Sequence, residues 1–141
     1  MSLPTLFIVL ALHLAPVSPP QNAVAVVVHP DTPVEQLSDD DLLRIYLMEQ
    51  TFWNDGTAIQ IVDLRGNDES KSTFYDALGL QPRNLFQHQM RLVFAGEATS
   101  PEKVANPAAM LRGVAETPGA IGYLPADVVD DRVTVVAYLP R

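Results

Sequence analysis

The chain has 141 residues, 48% of them apolar, a length and composition that suit one compact domain around a single core. Nine Lys and Arg against 17 Asp and Glu leave a net charge of -8; this excludes wholesale attraction to nucleic acid or an anionic lipid surface, so any anion must be captured locally. The absence of cysteine removes disulfides, thiolate nucleophiles and cysteine-ligated metal sites.

The stretch SLPTLFIVLALHLAPVSPP at 2–20 begins with about ten apolar-rich residues and continues with small and proline-rich ones, the pattern of a secretory leader. The n-region departs from that pattern in having no Lys or Arg, while His13 and Pro16 interrupt the apolar run short of the ~20 residues that a spanning helix needs. Residues 1–21 are therefore expected to be a signal peptide, and 22–141 a single α/β domain in the periplasm or otherwise outside the cytoplasm.

NAVAVVVHP at 22–30 is a continuous apolar run closed by proline, which predicts a strand over 23–28, buried on both faces and central in a parallel sheet. Ser38 is a good N-cap, three aspartates follow in the first turn, and Leu42, Ile45 and Tyr46 share a face, so a helix is expected to about Glu49. FWNDG at 52–56 reads as a turn and TAIQIVDL at 57–64 as a second strand, giving a βαβ unit with a right-handed crossover. Helical periodicity resumes in STFYDALGL, ending near Gly79, and again over 81–97, where Gly96 closes the segment. Asn106 and Pro107 open a further helix that stops at Pro118 and Gly119. Two strands, within AIGYLP and RVTVVAYLP, flank the acidic loop ADVVDD. The expected architecture is α/β, a three-layer open sheet with helices on both faces.

DLRGNDESKSTFYDAL at 63–78 reads as a strand end, a tight polar turn and a helix start. Free N–H groups at a helix N-terminus converge on one spot that the macrodipole makes positive, Ser70, Ser72 and Thr73 can add hydroxyl donors there, and Gly66 and Lys71 belong to the same candidate set. Arg65 can meet two oxygens of a phosphate, sulfate or carboxylate at once. His29 and Asp31, leaving the first strand, are expected at the same sheet edge as secondary candidates, with Asp68 in the turn as a third. The alternative is that Asp68 or Ser70 merely caps the helix, while Arg65 pairs with Asp63, Asp68 or Glu69 and no ligand binds.

Four stretches resemble, in order, the substrate-binding proteins of phosphate ABC importers: LSDDDLLRIYLMEQTFWNDG, IQIVDLRGNDESKSTF, RLVFAG and ETPGAIGYLPADVV. The resemblance covers nearly all of 24–139 and implies one lobe of a type II periplasmic-binding-protein fold, with the arginine-bearing turn as the phosphate site. Family members are more than twice as long and close two lobes over the anion. A short, single-lobe relative therefore lacks half of the usual cage, and a homodimer or membrane receptor would have to supply the second wall.

Trp53 reads more readily as packing over a helix end than as a cleft residue. His88, in the polar context QHQ, is expected to be solvent-exposed. No His, Asp or Glu spacing suggests a metal site, neither a P-loop nor a dinucleotide fingerprint is present, and a serine nucleophile would have only His29 as base, so no cofactor and no enzyme activity are expected. The leading expectation is an exported protein that binds a small oxyanion weakly in phosphate uptake or sensing. The rival is a ligand-free module that docks on a membrane transporter, porin or sensor.

Overall fold

The computed structural model describes residues 22–141, together with Pro4; the leader expected over 1–21 otherwise lies outside the described residues. Five strands form one open mixed sheet in the order β3-β2-β4-β1-β5. They are β1 (Val24–Val28), β2 (Gln60–Leu64), β3 (Glu102–Val104), β4 (Ala120–Pro125) and β5 (Thr134–Leu139), and four helices accompany them: α1 (Asp39–Tyr46), α2 (Glu69–Ala77), α3 (Pro82–Phe94) and α4 (Pro107–Glu116).

The helices cover both faces, and two consecutive residues of β4 show it. Gly122 lies against Met110 and Val114 of α4, whereas Tyr123 stacks on Phe74 of α2 with ring centroids 4.3 Å apart. Successive strand residues point to opposite faces, so α4 and α2 are on opposite sides of the sheet. α1 shares the α2 side, since Tyr46 lies 4.9 Å from the Phe74 ring. α3 is tied to the end of α1, where Gln89 Nε2 donates to the Tyr46 carbonyl at 2.9 Å.

All five residues of β1 are buried, as its apolar run requires, but its direction differs from expectation. β1 is antiparallel to both of its neighbours, β4 and β5. It therefore runs opposite to β2, which is parallel to β4 and separated from β1 by it. The stretch from β1 through α1 to β2 is accordingly not a parallel βαβ crossover. A continuous apolar run reports that both faces are covered, not which way the neighbours point.

α1 ends three residues before Glu49, with Leu47 as its C-cap, and Met48 adopts φ 60°. Its start follows the sequence: Ser38 Oγ accepts from the Asp41 amide while Asp41 accepts from the Ser38 amide, a reciprocal capping box. β3 has no counterpart among the expected strands; it is a three-residue edge element of charged and half-buried residues, too short and polar to show a strand pattern.

Candidate functional site

Arg65 leaves the carboxyl end of β2, where its amide donates to the Val104 carbonyl at the end of β3 at 2.9 Å. Because β3 and β4 both run parallel to β2, three strands end on this side. The antiparallel pairings put the start of β1 and the end of β5 there too, since Val24 lies opposite both Pro125 and Leu139. Positions 22 and 141, the two ends of the described domain, thus emerge on the same side of the sheet as the Arg65 turn.

The turn itself is open. Gly66 has φ +72°, a left-handed conformation, and a Cβ built on it would meet nothing within 4 Å. Arg65 is exposed and makes no ion pair within 4.0 Å among the described residues. Asp68 is the N-cap of α2, its Oδ1 accepting from the Ser70 amide at 2.9 Å and also from the Ser70 hydroxyl. Ser70 is buried, and both of its donors are directed at Asp68. Lys71 is turned back over the strand end, its Nζ donating to the Leu64 carbonyl at 2.8 Å and lying 5.5 Å from the Tyr75 ring. Ser72 is exposed, and its amide donates to the Asp68 carbonyl.

His29 and Asp31 are not part of this cluster. The His29 amide bonds to the carbonyl of Ala120, the first residue of β4, which places His29 at the opposite end of the sheet from Arg65. The expectation that they share an edge with Arg65 fails because β1 is antiparallel. There His29 is buried, and its Nδ1 accepts from the Asp31 amide at 3.1 Å.

Beneath the turn lies a polar network that the sequence reading did not identify. Asp63, 3% exposed, accepts at Oδ1 from the Tyr123 hydroxyl and at Oδ2 from the Tyr75 hydroxyl at 2.6 Å and from Lys103 Nζ at 2.9 Å. Burial pushes the Asp63 carboxyl up, but the hydrogen bonds from Tyr123, Tyr75 and Lys103, with the Lys103 charge, outweigh it and hold the group below the ordinary carboxylate value. Burial first, and then the Asp63 charge, push both tyrosines far up, so they remain neutral donors. The available signal was an acidic residue inside the apolar run IVDL, which must find partners once buried.

The remaining sequence candidates serve packing. Trp53 is buried and its indole N–H donates to the Gly119 carbonyl at 2.9 Å. His88 is half-buried rather than exposed, with Nε2 2.8 Å from the Leu47 carbonyl.

A family model described as PBP superfamily domain matches residues 21–138. No sequence among the curated proteins matches the chain. Solved structures do. One from Clostridium perfringens, assigned to phosphate ABC transporter substrate-binding proteins and holding bound phosphate, superposes with a TM-score of 0.66 at 21% identity over 81% of this chain and 44% of its own. An ABC-type phosphate transport receptor from Vibrio cholerae gives a TM-score of 0.66 at 21% identity, covering 81% of this chain and 45% of the receptor. PstS from Borrelia burgdorferi gives 0.61 at 13% identity, covering 82% and 46%. This chain therefore spans less than half the length of these three structures. With the family match extending over most of its length, the chain belongs to the PBP superfamily domain family.

Proposed function

We propose that this chain is an exported solute-binding-like protein that takes a small phosphate-like oxyanion at the 65–72 turn, in phosphate uptake or sensing. The observation that carries the reading is Arg65, an exposed guanidinium with no ion pair among the described residues, set beside an open turn where three parallel strands end. A planar fork of donors holds two oxygens of a tetrahedral anion, and the α2 N-terminus adds a favourable field. The bound phosphate in the Clostridium perfringens structure supports the anion class.

The donor set is Arg65, the amide of Gly66, the Lys71 ammonium and the Ser72 hydroxyl; Ser70 joins it when Asp68 turns aside. With a single lobe, water competes for every donor, so binding is weak until a membrane transporter, a sensor or a second copy of the chain walls the site. The Asp68 cap on Ser70 favours the rival reading, a ligand-free docking module on such a partner. Calorimetric titration of the protein and of Arg65→Ala with inorganic phosphate and with sulfate separates the two. Heat of binding that disappears in the variant supports the anion site. No heat, or heat that survives the substitution, sinks it.

A further inference from the structure

β5 forms one edge of the sheet. Among the described residues its outer side receives one backbone hydrogen bond, from the Leu37 amide to the Val136 carbonyl at 2.9 Å. Val136 is the extra residue where the β1–β5 register shifts. No Lys, Glu or Pro interrupts TVVAYL, although such residues ordinarily block pairing at an edge, and Tyr138 is 41% exposed.

A groove of about 800 Å³ is lined by this edge and by the 35–40 segment, which touches the edge at Leu37. Val135 and Tyr138 contribute to one wall, and Glu35, Asp39 and Asp40 to the other. Glu35 and Asp40 have no ion pair among the described residues. The groove already holds one cation: Arg141 donates through Nε to Asp39 Oδ1 at 2.6 Å and through Nη2 to the Leu37 carbonyl. It thus pairs a guanidinium with a carboxylate and a backbone acceptor beside an open strand.

We propose that this groove receives an extended basic segment of a partner protein, laid along β5 as an added strand. The segment's backbone meets β5 on either side of Val136, whose carbonyl Leu37 already holds, and alternate side chains face the groove. Its Lys or Arg residues meet Glu35 and Asp40 and compete with Arg141 for Asp39, while the chain's charge of -8 draws basic partners and repels acidic ones.

The test uses three end-blocked peptides: alternating lysine and valine, glutamate in place of lysine, and the lysine peptide with prolines replacing the central valines. Binding to the full chain is followed by backbone amide NMR shifts. The lysine peptide should bind at least about tenfold more tightly than either control, with shifts centred on 134–139. Glu35→Gln combined with Asp40→Asn should weaken it about fivefold, and Arg141→Ala should strengthen it about threefold. Equal binding of the proline peptide, shifts centred away from β5, or no binding of the lysine peptide would each overturn the proposal.

Discussion

Asp63 and Lys103 meet across the parallel pair of β2 and β3, Nζ 2.9 Å from Oδ2, although 40 residues separate them in sequence. Asp63 is almost wholly buried, whereas a third of the Lys103 side chain is exposed. The carboxylate is also the common acceptor for Tyr75 and Tyr123, so the two ends of the pair are unequal in stability. Asp63→Asn replaces one acceptor oxygen by an amide N–H where Tyr75, Tyr123 and Lys103 all donate, so a hydroxyl must turn round to accept, and it should cost about 3 kcal/mol. Lys103→Met leaves both tyrosine hydroxyls on the carboxylate and should cost about 1 kcal/mol. Urea denaturation measures both, and equal losses would contradict the asymmetry.

The same carboxylate makes stability sensitive to acid. Its folded-state value lies below the ordinary one, while the unfolded chain titrates near ~3.9, so between the two the unfolded state binds more protons. The stabilisation is complete above about pH 4 and is lost as pH falls through the depressed folded-state value. Asp41 shifts in the same direction, chiefly through its hydrogen bond from the Ser38 amide, but it lies near the surface. The informative quantity is therefore the difference between the protein and Asp63→Asn. That difference should shrink steadily in acid, and a constant gap across the range would show that Asp63 is not the titrating group.

The two glycines of PGAIGY answer to different neighbours. A Cβ on Gly119 would lie 2.1 Å from the Ala58 carbonyl oxygen, and its φ of +81° is already left-handed. Neither backbone can yield, so Gly119→Ala should cost at least about 3 kcal/mol. A Cβ on Gly122 would lie 2.5 Å from Met110 Sδ and 2.9 Å from Val114 Cγ2. The methionine tip can swing aside, so Gly122→Ala should cost about 1–2 kcal/mol. Thermal melts of the two variants should rank in that order.

These contacts mark what the sequence could show. Local features were legible: the Ser38 and Asn106 caps, the Gly96 stop, and four of the five strands to within a few residues. Each depends on chain neighbours within a turn or on a run of burial. Strand direction was not legible, because the apolar run of β1 reads the same either way along, and with it went the placement of His29 and Asp31. The Asp63 network escaped because its partners Tyr75, Lys103 and Tyr123 lie 12, 40 and 60 residues away. The Arg65 turn was visible as a turn, but the sequence alone left open which residue capped the helix. The structure gives that role to Asp68, which faces Ser70 rather than Arg65.

Asp68 is therefore the residue through which the anion reading can be tested most sharply. Its Oδ1 satisfies the Ser70 amide, yet its negative charge stands at the helix start where the anion is proposed to bind. Asn caps a helix about as well as Asp, so Asp68→Asn should keep α2 in place while removing the repulsion. An exposed charge pair contributes roughly 0.2–1 kcal/mol, so phosphate affinity should rise by up to about fivefold. Arg65→Ala should lower it by more, because a guanidinium that contacts the anion is lost rather than a neighbouring charge. Added salt should narrow both differences by screening. Titrations of inorganic phosphate into the two variants decide the matter: if Asp68→Asn binds no better, or Arg65→Ala binds no worse, the turn is a cap and nothing more.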